Sequence, residues 1–229
     1  MRILLKVWLP IMAALAVVAL GYLIVHWSAM TTTHRLSFIG LTMIVAHIHE
    51  EERFPGGFGY MFNVLINKSD VPDRYPMSPL IAMLVDVSAI FVMFVPALFF
   101  PDLIWLGVAP MFLLIMEFLM HGSVGIFIQW RRRRLSIYNP GLATACIMGA
   151  VGIAYIVVVA SNELMSGRDW LFGALYYVAA MLVCLGIPEY GLRSRSTRWA
   201  FNHDHYLGYY KRYTTIEEVF NNAGSAADA

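Results

Sequence analysis

Residues 103–134 read Leu-Ile-Trp-Leu-Gly-Val-Ala-Pro-Met-Phe-Leu-Leu-Ile-Met-Glu-Phe-Leu-Met-His-Gly-Ser-Val-Gly-Ile-Phe-Ile-Gln-Trp-Arg-Arg-Arg-Arg. Glu117 and His121 are the only ionisable residues before the four arginines close the run. A bilayer core about 30 Å thick is crossed by about 20 apolar residues wound as a helix, because the backbone must satisfy its own polar groups there. The stretch is long enough, and its arginines mark the end expected in the cytoplasm. It also carries two ionisable groups at a depth where such groups cost free energy.

The rest of the chain extends this pattern. Of 229 residues, 59% are hydrophobic and 14% charged, against roughly half and about a quarter in soluble domains. Six stretches have the length and character of spans, at residues 4–26, 34–52, 79–100, 103–129, 141–161 and 169–191. The second is the weakest, since His47, His49, Glu50 and Glu51 fall near its end. The expected fold is an all-α polytopic membrane bundle of about six helices, with a membrane domain over 1–192 and a tail over 193–229 whose last residues are expected to be disordered.

With both termini in the cytoplasm, fourteen of the sixteen lysines and arginines lie inside and only Arg35 and Arg168 outside. The opposite orientation reverses that bias. The apolar start, with Arg2 and Lys6 ahead of about 20 apolar residues and no evident cleavage site, reads as a retained helix rather than a signal peptide. The net charge of +1 gives no reason to expect a nucleic-acid partner. Cys146 and Cys184 lie in apolar runs without metal-knuckle or disulfide spacing and read as packing residues. No internal repeat stands out.

Buried ionisable groups carry the functional signal. At 100° per residue, His47, Glu50 and Glu51 share one side of the second span, and His49 points nearly opposite. Glu117 and His121 are spaced i, i+4 on the fourth span. Asp86 lies in the third span and Glu189 near the end of the sixth. Counted at 1.5 Å per residue from the cytoplasmic end of each helix, His47, Asp86 and His121 reach one level, about 12–15 Å deep. Two imidazoles and several carboxylates on facing helices are the donor set with which helix bundles hold metals, as in di-iron carboxylate proteins. The structural alternative is a set of hydrogen-bonded pairs that lock helices together.

The motif His47-Ile48-His49-Glu50-Glu51, followed by Phe54-Pro55-Gly56-Gly57-Phe58, resembles a family of small, mostly bacterial membrane proteins of unknown function named for HXXEE. The resemblance extends to Glu117 with His121 and to Tyr138-Asn139-Pro140-Gly141-Leu142. It implies His47, Glu50 and Glu51 as site residues, with Glu117, His121 and Asn139 as companions, and implies no reaction. Read physically, Asn139 and Pro140 suit the N-cap and first turn of the fifth helix. The glycine-rich 54–62 segment suits a re-entrant or interfacial loop over the site.

The expectation is a protein of the bacterial cytoplasmic membrane with an enzymatic site that uses a divalent metal, zinc or iron, on a lipid-like or apolar substrate. Its metal ligands are drawn from His47, Glu50, Glu51, Glu117 and His121, with Glu50, Glu51 and Glu117 as catalytic carboxylates and Asp86, Asn139 and Glu189 as supporting residues. A proton-coupled or metal-ion transporter and a non-catalytic membrane subunit or lipid-binding protein are the alternatives.

Overall fold

The structure, a computed structural model, describes residues 1, 3–133 and 135–227. Arg2 and Arg134, used above for orientation, and the last two tail residues lie outside the described residues. Every regular element among the described residues is helical. The long helices are α1 Leu4–His26, α2 Thr32–Glu52, α4 Pro79–Phe99, α5 Ile104–Arg131, α6 Leu142–Ser161 and α7 Gly167–Leu192. A short α3 (58–66) precedes α4, and α8 Ile216–Ala227 ends the chain. Each of the six expected spans matches a long helix to within two residues.

Five of these helices are long and apolar enough to cross a membrane, and α2 is the exception. Its 21 residues have the length of a span, about 31 Å at 1.5 Å per residue. Its histidines, Arg35 and three consecutive glutamates remove the hydropathy. It is instead the most enclosed helix. It packs against α1, α5 and α6 and buries Phe38, Leu41, Ile44, Val45 and Ile48. The core beside it holds Met93, Phe94, Met111, Leu114, Met148 and Tyr155. Of the two cysteines, Cys184 is buried, while Cys146 is exposed on α6 instead of packed.

Helix starts follow the sequence. The Thr31 side chain accepts from His34 N at the head of α2, Ser78 from Ile81 N ahead of Pro79, and Ser166 with Asp169 forms a reciprocal capping box on α7. Prolines inside α4 and α7 raise a different problem, because each removes the N–H that would satisfy the carbonyl four residues earlier. For Pro96 that carbonyl is Val92 O, and Tyr176 of α7 donates its hydroxyl there. For Pro188 it is Cys184 O, and Ser88 of α4 donates to it at 3.4 Å. Both helices widen to a π turn just before their proline, at Ile90–Phe94 and Leu182–Gly186. Two neighbouring helices thus repair each other's backbone, as hydrocarbon surroundings demand.

At the arginine-rich end the chain folds back on itself. The 54–62 segment is a turn through Gly56 and Gly57 followed by α3, whose last residues are π-wound. The loop after it is organised by Asn63, which is fully buried: Nδ2 donates to Pro72 O and Met77 O, each at 2.8 Å, and Oδ1 accepts from Met77 N at 2.9 Å. The tail then straps across this loop. Phe201 N donates to Asp73 O at 2.8 Å, Arg74 Nη1 to Thr197 O at 3.2 Å and Tyr209 N to Gly56 O at 3.0 Å, and Tyr206 donates its hydroxyl to Pro72 O. Burial pushes the Asp73 carboxyl up, but its two hydrogen bonds from Arg74, with His203 beside it, hold it below its ordinary value. The strands of loop and tail approach so closely that a Cβ on Gly208 would overlap the Gly56 carbonyl. Tyr60, Met61 and Leu65 of α3 pack with Tyr206, Leu207 and Tyr210 of the tail in a second apolar cluster.

Asn63→Ala is expected to leave two carbonyls and one N–H unpaired in this loop, at about 1–3 kcal/mol each where water cannot reach. Limited proteolysis in detergent checks it. Cleavage within residues 67–78 rises sharply in the variant, and an unchanged cleavage rate would show that Asn63 does not organise the loop.

Candidate metal centre

The site is built where the end of α2, the middle of α5 and the start of α6 meet. His47 and Glu51 are one turn apart on α2, and Glu117 and His121 one turn apart on α5, so each helix presents a pair on one face. The pairs interlock. His121 Nε2 lies 3.1 Å from Glu51 Oε1 and 3.7 Å from Glu117 Oε2, and His47 Nε2 lies 3.7 Å from each of the same oxygens. The imidazole rings meet edge to face with centroids 4.9 Å apart. His47, Glu51 and His121 are all buried, at 2%, 8% and 4% exposure.

The outer nitrogens of both rings are committed elsewhere, and this fixes which nitrogen faces the centre. His47 Nδ1 is 3.1 Å from Gly141 O and 3.0 Å from Thr144 Oγ1. A carbonyl only accepts, so Nδ1 carries the hydrogen. Asn139 Nδ2 donates to His121 O at 3.0 Å and Ile137 O at 3.2 Å. That turns Asn139 Oδ1 toward His121 Nδ1, 2.7 Å away, which must donate. Both Nε2 atoms therefore point into the cluster, with hydrogen-bond acceptors behind the two rings as metal-ligating histidines require.

The separations also suit an ion. Bonds of about 2.0–2.1 Å from zinc to nitrogen and oxygen imply about 3.3 Å between neighbouring ligand atoms in a tetrahedron. The four nitrogen-to-oxygen separations here are 3.1–3.7 Å. One ligand atom each from His47, Glu51 and His121 lies within 4.8 Å of the others, and this cluster could hold a metal. Two imidazoles with carboxylate oxygens suit zinc or iron.

Glu50, next to Glu51, turns away from this centre. Consecutive helical residues are 100° apart. From His47, Glu51 is therefore rotated to one side and Glu50 to the other, toward α6. There it accepts four hydrogen bonds: from Tyr138 OH at 2.8 Å, Ala143 N at 3.2 Å, Thr144 N at 2.8 Å and Thr144 Oγ1 at 2.5 Å. Glu50 is thus an anionic cap supplied to α6 by another helix. Burial, together with the Glu50 carboxylate it donates to, pushes the Tyr138 phenol well above its ordinary value, so it remains a donor. Thr144 links the two roles, giving its proton to Glu50 and accepting from His47.

The start of α6 differs from the expected one. Asn139 does not cap the helix; Gly141 occupies the cap position at φ +101 without a side-chain cap, and Asn139 holds His121 instead. The reason is space. A Cβ on Gly141 would strike Cε1 of both His121 and His47, so the 139–141 backbone is the floor on which the two rings rest. His49, as expected, points away, with Nδ1 2.8 Å from Val45 O.

The cluster forms one side of a cavity of about 390 Å³. Apolar side chains line most of it, among them Phe58, Met61 and Phe62 of α3, Met116 and Met120 of α5 and Tyr177 of α7. Glu51, Glu117 and His121 reach it from the His/Glu cluster, and Glu52, Asp86 and Glu189 from elsewhere on its wall. Asp86 and Glu189 are thus brought to the cavity and not to the centre itself. The expectation that 54–62 lies over the site fits α3, whose residues wall this space. Thr144 and Gly141 were not singled out in the sequence; the Asn139-Pro140-Gly141 element was the signal that could have led to them.

Comparison with curated proteins and with solved structures finds no match. A family model matches residues 38–157, just over half of the chain, and spans both helices that carry the paired ligands as well as the Asn-Pro-Gly element. The chain belongs to the family described as proteins of unknown function with an HXXEE motif.

Proposed function

We propose that this is a membrane-embedded, metal-dependent enzyme acting on a lipid-like or apolar substrate, with its arginine-rich end in the cytoplasm of a bacterial cell. One observation carries the reading: a set of two imidazoles and two carboxylates, buried except for Glu117, opens directly onto an apolar cavity of ligand size. His47, Glu51 and His121 hold the metal. Glu117, whose side chain is 31% exposed toward the cavity, moves the proton between the reacting atoms and the cluster. A divalent metal there supplies Lewis acidity that activates water near neutral pH, or redox chemistry if it is iron. Asn139 and Gly141 keep the two rings aimed, and α3 with the cavity's methionines excludes bulk water. Five carboxylates and no lysine or arginine line the cavity, so the substrate's head is neutral or cationic, since an anionic head would be repelled.

The test incubates purified, metal-loaded protein with total lipid extract and follows lipid species by mass spectrometry. Metal-dependent conversion of a neutral or cationic species, abolished in Glu117→Gln, is the expected result. Metal uptake into sealed vesicles with no lipid converted would replace the enzyme by a transporter.

A further inference from the structure

On the other side of α3 lies a second cavity, of about 500 Å³, that the reading above does not use. Phe58, Met61 and Phe62 of α3 face the first cavity, whereas Tyr60, Val64 and Leu65 face this one. Its remaining walls are Arg132, Arg133 and Leu135 after α5 and the docked tail, including Tyr210 and Val219.

Its charge is opposite to that of the first cavity. Lys68, Arg132 and Arg133, all exposed, line it, and among the described residues no acidic residue does and none of the three forms a salt bridge. Three such cations around a hollow with apolar walls, at the arginine-rich end of a membrane bundle, match an anion borne by an amphiphile.

We propose that this cavity binds a phosphate group, with Lys68, Arg132 and Arg133 holding its charge. The shared chemistry is the phosphate, and its source is either the headgroup of an anionic lipid or a soluble phosphate. Because α3 separates the two cavities, this site stands whether or not the metal centre is catalytic.

The experiment titrates full-length protein in neutral detergent with dihexanoyl phosphatidic acid, inorganic phosphate and dihexanoyl phosphatidylcholine, following the thermal unfolding midpoint and bound ligand by native mass spectrometry. Saturable stabilisation by phosphatidic acid, weakened by added salt, with phosphate much weaker, is expected for a headgroup site. Equal affinity for inorganic phosphate assigns the soluble source. The triple variant Lys68→Gln/Arg132→Gln/Arg133→Gln should lose about tenfold or more in affinity, as charge-assisted hydrogen bonds imply. The proposal is overturned if neither anionic probe binds, if the zwitterionic lipid binds equally well, or if affinity survives the triple variant.

Discussion

Gly141→Ala is expected to abolish metal binding while leaving the membrane helices formed. The residue sits at φ +101, where a side chain is strained, and its new Cβ would run into Cε1 of both His121 and His47. A backbone strain of about 1–3 kcal/mol adds to the cost of forcing two packed rings aside, itself about 1–3 kcal/mol. The rings can relieve the clash only by leaving Gly141 O and Asn139 Oδ1, which are the acceptors that aim them. Loss of such second-shell support costs about 10–100-fold in metal affinity, and displacement of the ligands themselves costs more. Gly122→Ala, one residue beyond His121 with no atom within 4 Å of its added Cβ, is the matched control. Zinc titration of the chelator-treated proteins separates them. Parental affinity in Gly141→Ala would mean that the two rings are not seated on this backbone.

The neighbouring glutamates of the motif should fail in different ways. Glu50→Ala removes the acceptor for Tyr138 OH, Ala143 N, Thr144 N and Thr144 Oγ1 at once. Breaking a buried charged network by deleting one partner costs about 3–5 kcal/mol, a large part of the stability of a typical domain. Glu51→Ala deletes one ligand and one partner of both His47 and His121, but Glu117 still lies 3.7 Å from each ring, so neither histidine is left unpaired and the metal-free bundle should stay nearly as stable as the parent. The comparison must be made on metal-free protein, since bound metal stabilises by mass action. Thermal unfolding followed by circular dichroism should show the Glu50 variant strongly destabilised and the Glu51 variant close to the parent, with zinc stabilising neither to the parental extent. Equal midpoints for the two variants would remove the distinction between cap and ligand.

The helices were legible because length and hydropathy decide them locally: α5 announces itself from Leu103 to Arg134 with no tertiary information. The i, i+4 pairs His47/Glu51 and Glu117/His121 were legible for the same reason, since spacing alone puts each pair on one face. That the pairs face each other depends on how α2 crosses α5, which no local pattern encodes. Glu50 was grouped with the ligands because three residues on one side of a helix look alike until a neighbour divides them. Here α6 takes one side and the His/Glu cluster the other. Asn139 and Gly141 read as a good helix start, whereas the seating of two rings on that turn needed the third helix to be in place. Asn63 gave no sequence signal at all, because an isolated asparagine gains meaning only from the carbonyls that the folded loop brings to it.

The central claim is that His47, Glu51 and His121 form one metal site, and elemental analysis of protein purified without chelator tests it most directly. Wild-type protein should carry about one zinc or iron per chain, and the His47→Ala/His121→Ala variant, with its helical spectrum intact, almost none. Equal metal content in the two proteins, or a metal-free wild type that takes up added zinc no better than the double variant, would contradict it.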